Sequence, residues 1–410
     1  MGAGVSGTIA SLLSADAVRE RAAMIYARGL AGKLAHFAVH PERLPAAALY
    51  VANTIRQNYP DLKVPPHARW RHFVVKGVDR WQNLATRLNT DWAEHARIRF
   101  DLAVTSVLLD AGAGADWRWH DLATNTTLAR SEGLAIASLA AFEQGLFSSD
   151  PNHPLQADAA GLIAVSADRL GDAFQVRADN PLAGLAGRAA LMRRLGATMA
   201  RTPATFGTPP RVGNLYDRLA DTAGARRTIK ANQILTLLLR ALGPVWQERL
   251  EIDGIPLGDT WRHRAIDVAG PTRRLMPFHK LSQWLAYSLI EPLQEAGIAV
   301  EDMDGLTGLP EYRNGGLFLD LGVIVVRDAA LGHAPLSPAD ELVVEWRALT
   351  VALLDEIAPL VRAELGVSAA HMPLASILEG GTWSAGRRIA KEKRADGSPP
   401  LNIVSDGSVF

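Results

Sequence analysis

Between Ser337 and Gly366 the chain carries a start signal, a helical period and a stop signal in register, and no other stretch constrains the fold as strongly. Ser337-Pro338-Ala339-Asp340-Glu341 reads as an N-cap serine, a proline at the first helical position and acids favourable at the positive end of the helix dipole. Leu342, Trp346, Leu349, Leu353 and Ile357 then return at helical spacing, and Gly366 suits the left-handed residue that ends such a run. A helix with an apolar stripe has to bury that stripe against a neighbour. The same rhythm recurs over Ala15 to Ala35, Trp81 to Arg97, Gly133 to Gln144 and Ile229 to Leu242, the last apolar on more than one side. Strand signals reduce to the β-branched run at 322–326 and a second at 103–109. The pattern predicts a mainly α protein with few short strands. Residues 1–410 read as one large helical domain. The Pro-, Gly- and Thr-rich stretch at 201–215 is either a seam between two lobes or a surface loop. The last fifteen residues, from Asp396 to Phe410, read as an extended tail docked on the body.

Composition narrows the function classes. Lys plus Arg equals Asp plus Glu at 43 each, so there is no basic surplus for a phosphate backbone, and nucleic acid is not the expected partner. The absence of cysteine removes thiol catalysis, disulfides and thiolate metal sites. No stretch approaches the roughly 18 to 20 apolar residues of a membrane helix, and the start lacks the pattern of a signal peptide. A protein of the cytoplasm that does not enter membranes is expected. Gly2-Ala3-Gly4-Val5-Ser6-Gly7 has the spacing of a dinucleotide fingerprint but no preceding strand to position it. His263, His279 and His371 are scattered, so neither a metal nor a cofactor is expected.

The residues that carry chemistry cluster late in the chain. Phe278-His279-Lys280-Leu281-Ser282-Gln283 opens a helix on which Lys280 and Gln283 share a face. Thr307-Gly308-Leu309-Pro310-Glu311-Tyr312-Arg313-Asn314-Gly315-Gly316 follows, with a carboxylate and a guanidinium beside paired glycines that suit close ligand approach or a hinge. A surface ion pair of Glu311 with Arg313 is the alternative reading, and Gly315-Gly316 tilts the choice toward function. Earlier, Asp110-Ala111-Gly112-Ala113-Gly114 ends an apolar run and is either a ligand-facing acid or a turn. Arg130-Ser131-Glu132 opens another helix, with Ser131 as N-cap or with Arg130 and the helix terminus presenting donors to an anion. Arg69-Trp70-Arg71-His72-Phe73 is either a ligand clamp or a surface corner. Gly380-Gly381-Thr382-Trp383 reads as a lid or docking loop.

These motifs, with Leu306 and the closing Ser405-Asp406-Gly407-Ser408-Val409-Phe410, resemble the fungal and bacterial uracil-catabolism protein four family over essentially the full length. Membership implies a role in a route that converts uracil to its nucleotide, opens the ring and recovers urea nitrogen. A weaker resemblance links the Phe278-x-Lys280-x-x-Gln283 and Glu311-Tyr312-Arg313 segments to the core of queuosine 5′-phosphate N-glycosidases. Those enzymes are all-helical and similar in fold to helical DNA glycosylases. This chain has Glu311 where that family has Asp, and it lacks the aromatic pair that holds the larger base near Asp110-Ala111-Gly112. Together the resemblances imply hydrolysis of the N-glycosidic bond of a ring-opened uridine nucleotide, above all ribosylurea 5′-phosphate. They imply catalytic roles for Glu311, Lys280 and Asp110 on a phosphorylated riboside. Tyr312, Gln283 and Trp383 are expected to line the substrate. Asp110, His279 and Glu132 are candidates for protonating the leaving urea, and Arg313, Arg71 and Arg130 for meeting an anionic group. Amide or ring hydrolysis of an earlier intermediate, and a non-catalytic nucleotide-binding partner, are the alternatives. The oligomeric state stays open.

Overall fold

Leu342, Trp346, Leu349, Leu353 and Ile357 are all buried on a helix of 25 residues, Glu341–Leu365, which ends at Gly366 in the left-handed conformation. The computed structural model describes residues 7–246, 249–328, 330–331 and 334–404. The helix begins later than the sequence signals suggest. Asp340, not Ser337, holds the N-cap position, and its carboxylate accepts from the Ser337 N–H at 2.7 Å. Ser337-Pro338-Ala339 is thus a turn that precedes the helix, and the Asp340 side chain is spent on that turn.

By its contacts the chain divides into two compact units. The first comprises Met1–His67, Glu248–Gln283 and Asp302–Phe410. Its centre is the helix Glu341–Leu365, packed against Ala15–Leu30, Leu44–Asn58 and Tyr312–Asp320. The expected strand near 322–326 is present as Ile324–Val326, paired antiparallel with Phe37–Val39. The tail to Val404 is docked as expected. Leu336 donates to the Asn402 carbonyl and accepts from the Val404 N–H, both at 2.8 Å, and Leu401 is buried. The glycine pattern at 2–6 and the closing motif at 405–410 lie outside the described residues.

The second unit comprises Ala68–Gln247 and Trp284–Glu301. Helices Trp92–Leu108, Arg130–Glu143 and Leu185–Arg201 form its framework. The expected strand at 103–109 is instead the last turns of Trp92–Leu108, buried from Ile98 to Leu108. A helix apolar on all sides mimics a buried strand when only its residue types are read. The single helix expected over 81–97 is two, Arg80–Ala85 and Trp92–Leu108, each capped by an aspartate, Asp79 and Asp91. Ser131 is not a cap, because the helix Arg130–Glu143 starts from Ala129 with no side-chain cap bond. Ile229 and Lys230, read as the start of a helix, belong to the short strand Thr228–Lys230, parallel to Ala299–Glu301, and the helix begins at Ala231. The stretch 201–215 lies inside this unit. Arg211 donates to Asp101 at 2.7 Å, and Asp101 also accepts from the Gly213 N–H at 2.7 Å. Sheets among the described residues are two-stranded, so the protein is mainly α. Among the same residues no helix is long and apolar enough to cross a membrane.

Gly315 shows what the paired glycines do. A Cβ there would meet Trp346 at 2.6 Å and Thr350 Oγ1 at 2.8 Å, and one on Gly316 would meet Pro400 at 3.0 Å. They allow the helix Tyr312–Asp320 to lie directly on its neighbours, and they form no hinge. Gly315→Ala is therefore expected to destabilise the fold by about 1–3 kcal/mol through overpacking, measurable as a lower midpoint in urea unfolding.

Candidate active site

Asp259 and Arg347 set the geometry of the first unit's polar interior. Arg347 donates from both Nη atoms to the two Asp259 oxygens, at 2.8 and 2.7 Å, and both residues are buried. Burial pushes the Asp259 carboxyl up, and Arg347 more than reverses this, leaving it below the usual range. The same carboxylate accepts from the Lys280 backbone N–H at 3.0 Å, which begins the helix Lys280–Glu295. The Arg347 Nε reaches the Pro310 carbonyl at 3.4 Å, one residue before Glu311.

Just before that helix, His279 adopts a left-handed φ of 50° and its Nε2–H donates to the Leu12 carbonyl at 2.8 Å. Burial pushes its pKa down, so it stays neutral and supports the chain rather than supplying a proton. Gln283 is fully buried and clamps Thr307, accepting from its N–H at 2.9 Å and donating to its hydroxyl. Phe278–Gln283 and Thr307–Glu311 are thus fastened to each other side by side.

Glu311 is the N-cap of the helix Tyr312–Asp320. Its carboxylate accepts from the Arg313 N–H at 2.7 Å and the Asn314 N–H at 2.5 Å, and it is buried rather than paired with Arg313 on the surface. Burial raises its pKa, while the two N–H donors, Lys280 and His67 act in the opposite sense. The Arg313 guanidinium instead donates to the Gly397 carbonyl at 2.8 Å and covers the Tyr312 ring.

Two further residues were not apparent in the sequence. His67 Nδ1 lies 2.5 Å from Glu379 Oε2, and both side chains are buried. Glu379 sits on the π-helix Ile377–Trp383, a form of backbone often found at functional sites. Gly380-Gly381-Thr382-Trp383 is therefore a packed helical segment and not a lid. Gly380 faces Tyr59 and Val64, and Gly381 faces Val51 and Ile55, too close for side chains. Thr382 donates to Asn314 Oδ1 at 2.8 Å, tying the π-helix to the Glu311 helix. The Trp383 ring lies 5.7 Å from the His67 ring. The glycine pair after Glu379 was the one visible signal. His67 is 312 positions away from its partner in the chain.

Glu311, Lys280, His67, Glu379 and Trp383 are thus grouped in the first unit. Asp110 belongs to a second cluster, in the second unit. Its Oδ2 lies 3.0 Å from Arg69 Nη1, Arg69 Nε donates to Ser106 at 2.7 Å, and Glu132 adds attraction to the same guanidinium. Arg71 is occupied by both oxygens of Glu291 at 2.5 and 2.6 Å, and Arg130 is exposed. Among the described residues no group of three or more His, Asp or Glu side chains is arranged to hold a metal.

A family model described as "Protein of unknown function (DUF1688)" matches residues 11–410. "Uracil catabolism protein 4" of Lachancea kluyveri is 34% identical over 440 residues, covering 99% of this chain and 100% of its own. "Protein urg3" of Schizosaccharomyces pombe is 38% identical over 412 residues, covering 98% of this chain and 99% of its own. The chain belongs to this family. The match to the family model takes in Lys280, Glu311 and both members of the His67–Glu379 pair.

Arg347→Ala would strand the Asp259 carboxylate in the interior. It is expected to cost about 3–5 kcal/mol of stability in urea unfolding, far more than loss of a surface pair. Because the folded Asp259 pKa lies below its unfolded value, its contribution is present above the unfolded pKa and is lost as pH falls through the folded one. The stability gap between wild type and Arg347→Met should therefore narrow at acidic pH.

Proposed function

We propose that this protein acts in uracil catabolism as an N-ribosyl hydrolase that splits ribosylurea 5′-phosphate into urea and ribose 5-phosphate. The observation that carries the reading is the buried Glu311 carboxylate, fixed by two helix N–H groups and attracted by Lys280 and His67. Breaking the C1′–N bond sends its electron pair to the ureido nitrogen and leaves positive charge on the sugar. A preorganised carboxylate in a dry site stabilises that charge. Glu311 also orients the attacking water and takes its proton as oxygen bonds to C1′.

Urea leaves poorly as an anion, so its nitrogen takes a proton as the bond breaks. His67 is the donor in this reading, held in one orientation by Glu379 as in a triad. Lys280 keeps Glu311 ionised. Trp383, beside His67, offers a flat apolar face to the sugar. A ureido group is far smaller and more polar than a nucleobase, in keeping with a site of carboxylates, an imidazole and an ammonium. The name of one relative, "Uracil catabolism protein 4", supports the pathway, and the grouping of these side chains supports the chemistry.

The purified protein is expected to release urea from ribosylurea 5′-phosphate without added metal. Glu311→Gln should lower kcat by at least about 10²- to 10³-fold while remaining folded. Ammonia in place of urea would point to ring or amide hydrolysis, and a ligand-induced melting shift without turnover to a binding protein. Since burial raises the Glu311 pKa, kcat/KM should fall on the acid side with a midpoint above the ordinary glutamate value of 4.5. A profile flat down to that value would remove Glu311 from its role.

A further inference from the structure

The arginines buried among the described residues are matched by acceptors, with one exception. Arg69, Arg99 and Arg347 face the carboxylates of Asp110, Glu295 and Asp259. Arg188 donates to the carbonyls of Leu109, Ala111, Gly112 and Ala183, and Arg313 to that of Gly397. Arg21, on the helix Ala15–Leu30, is 7% exposed and has neither. Its Nη1 reaches the Met24 sulfur at 3.9 Å and its Nη2 reaches Thr272 Oγ1 at 3.4 Å. Its Nε is buried without a hydrogen-bond partner. A thioether is a weak acceptor, and the hydroxyl stands at the limit of bonding distance. A guanidinium withdrawn this far from water with no negative charge to meet is strongly unfavourable until something joins it.

A tight turn supplies the other side of this place. Thr272 is 4% exposed, and around it the Arg273 N–H closes on the Gly270 carbonyl at 3.2 Å, with Gly270 at a φ of 84°. The turn leads into the strand Leu275–Pro277, against which the helix Ala15–Leu30 packs, all within the first unit. The Thr272 hydroxyl accepts from Arg21 and keeps its own hydrogen to donate. Arg273 and Arg274 follow it, both exposed. Arg273 is paired with Asp267 at 3.0 Å, while Arg274 makes no ion pair among the described residues. The turn therefore adds positive charge beside a guanidinium that is already unmatched, and such a field favours a doubly charged anion over a singly charged one.

We propose that Arg21 and Thr272 form a binding site for a phosphate group. The group supplies what the guanidinium lacks, two acceptor oxygens in the geometry of its fork and the charge that neutralises it. The Thr272 hydroxyl donates to one of those oxygens, and Arg274 strengthens the field from the solvent side. Free phosphate and a phosphomonoester present the same group to these donors. Once bound, the anion ties the helix Ala15–Leu30 to the turn before Leu275–Pro277. That strand runs on into His279 and Lys280, so the anion braces the chain where it enters the candidate active site. The inference stands on Arg21 and its surroundings and does not depend on the role given to Glu311.

The test is thermal unfolding of the full chain with inorganic phosphate, ribose 5-phosphate or acetate, at an ionic strength held constant with chloride. Wild type is compared with Arg21→Met, which keeps an apolar stem and removes the charge, and with Thr272→Val. Phosphate at tens of millimolar should raise the wild-type midpoint and slow amide exchange over residues 264–274, and acetate should do neither. Arg21→Met should bind phosphate at least about 10-fold more weakly. In chloride alone it should unfold no lower than wild type, because the unmatched charge is gone. Thr272→Val should weaken phosphate about 3- to 10-fold. An Arg21-dependent response to ribose 5-phosphate at lower concentration than to inorganic phosphate supports the site and makes a phosphomonoester its ligand. A response to inorganic phosphate alone supports it with the free anion. No response in wild type, or an equal one in Arg21→Met, overturns the proposal. So does an Arg21→Met midpoint lowered by the same amount with and without phosphate, the mark of a purely structural arginine. Should Arg21→Met fail to fold, an unchanged phosphate response in Thr272→Val overturns it as well.

Discussion

A buried ion pair between Asp259 and Arg347 organises the first unit's interior. Its two oxygens and two Nη atoms satisfy each other, the Trp261 indole N–H donates to Asp259 Oδ1 at 2.6 Å, and what remains is used on backbone. Asp259 takes the Lys280 N–H, and Arg347 Nε meets the Pro310 carbonyl. One guanidinium therefore determines where the lysine helix begins and where the Glu311 helix begins. Two turns of chain separated widely in sequence are placed by a single pair whose geometry cannot drift without stranding a charge. Glu345, on the same helix as Arg347, follows the same logic. It accepts from the His36 and Phe37 N–H groups at 3.0 and 2.9 Å, and its other oxygen faces His263 at 3.3 Å. Charges buried on this helix are justified by the irregular segments they hold.

Glu311 is under opposing forces. Burial favours the neutral acid, while a helix N-terminus, Lys280 and His67 favour the anion. A carboxyl balanced in this way changes protonation at modest cost, which suits a group that first opposes positive charge and then accepts a proton. The arrangement is rigid because the N-cap bonds fix both oxygens, and Asn314 is itself fixed by Leu309 and Thr382.

Much of this was legible from the residues. The period of Leu342 to Ile357, the stop at Gly366 and the helix opening at Lys280 follow from local pattern, because they depend on neighbours three and four positions apart. The boundaries that failed did so where a polar side chain had a choice of backbone partners, as at Asp340, or where a helix is buried on all sides, as at 103–108. Gln283 and Glu311 were visible as chemistry, but their duties were not. Gln283 is a clamp on Thr307, and Glu311 is a cap as well as a candidate catalyst. The partnership of His67 with Glu379 depends on how the chain returns to itself, and no local spacing encodes it. Asp110, read either as a ligand-facing acid or as a turn, is paired with Arg69 in the second unit.

The docking of the tail has a consequence for the order in which the molecule can be made. Arg313 needs the Gly397 carbonyl, Gly316 lies against Pro400, and His67 has no Glu379 until the π-helix exists. Most of the second unit is one uninterrupted stretch, Ala68–Gln247, which leaves the ribosome well before these residues do. The helix that carries Glu311 must therefore wait, incompletely braced, for the 84 residues that separate Arg313 from Gly397 to be translated. The proposed activity would then appear late and all at once, only when the segment from Glu379 to Pro400 is in place, and in none of the shorter nascent lengths.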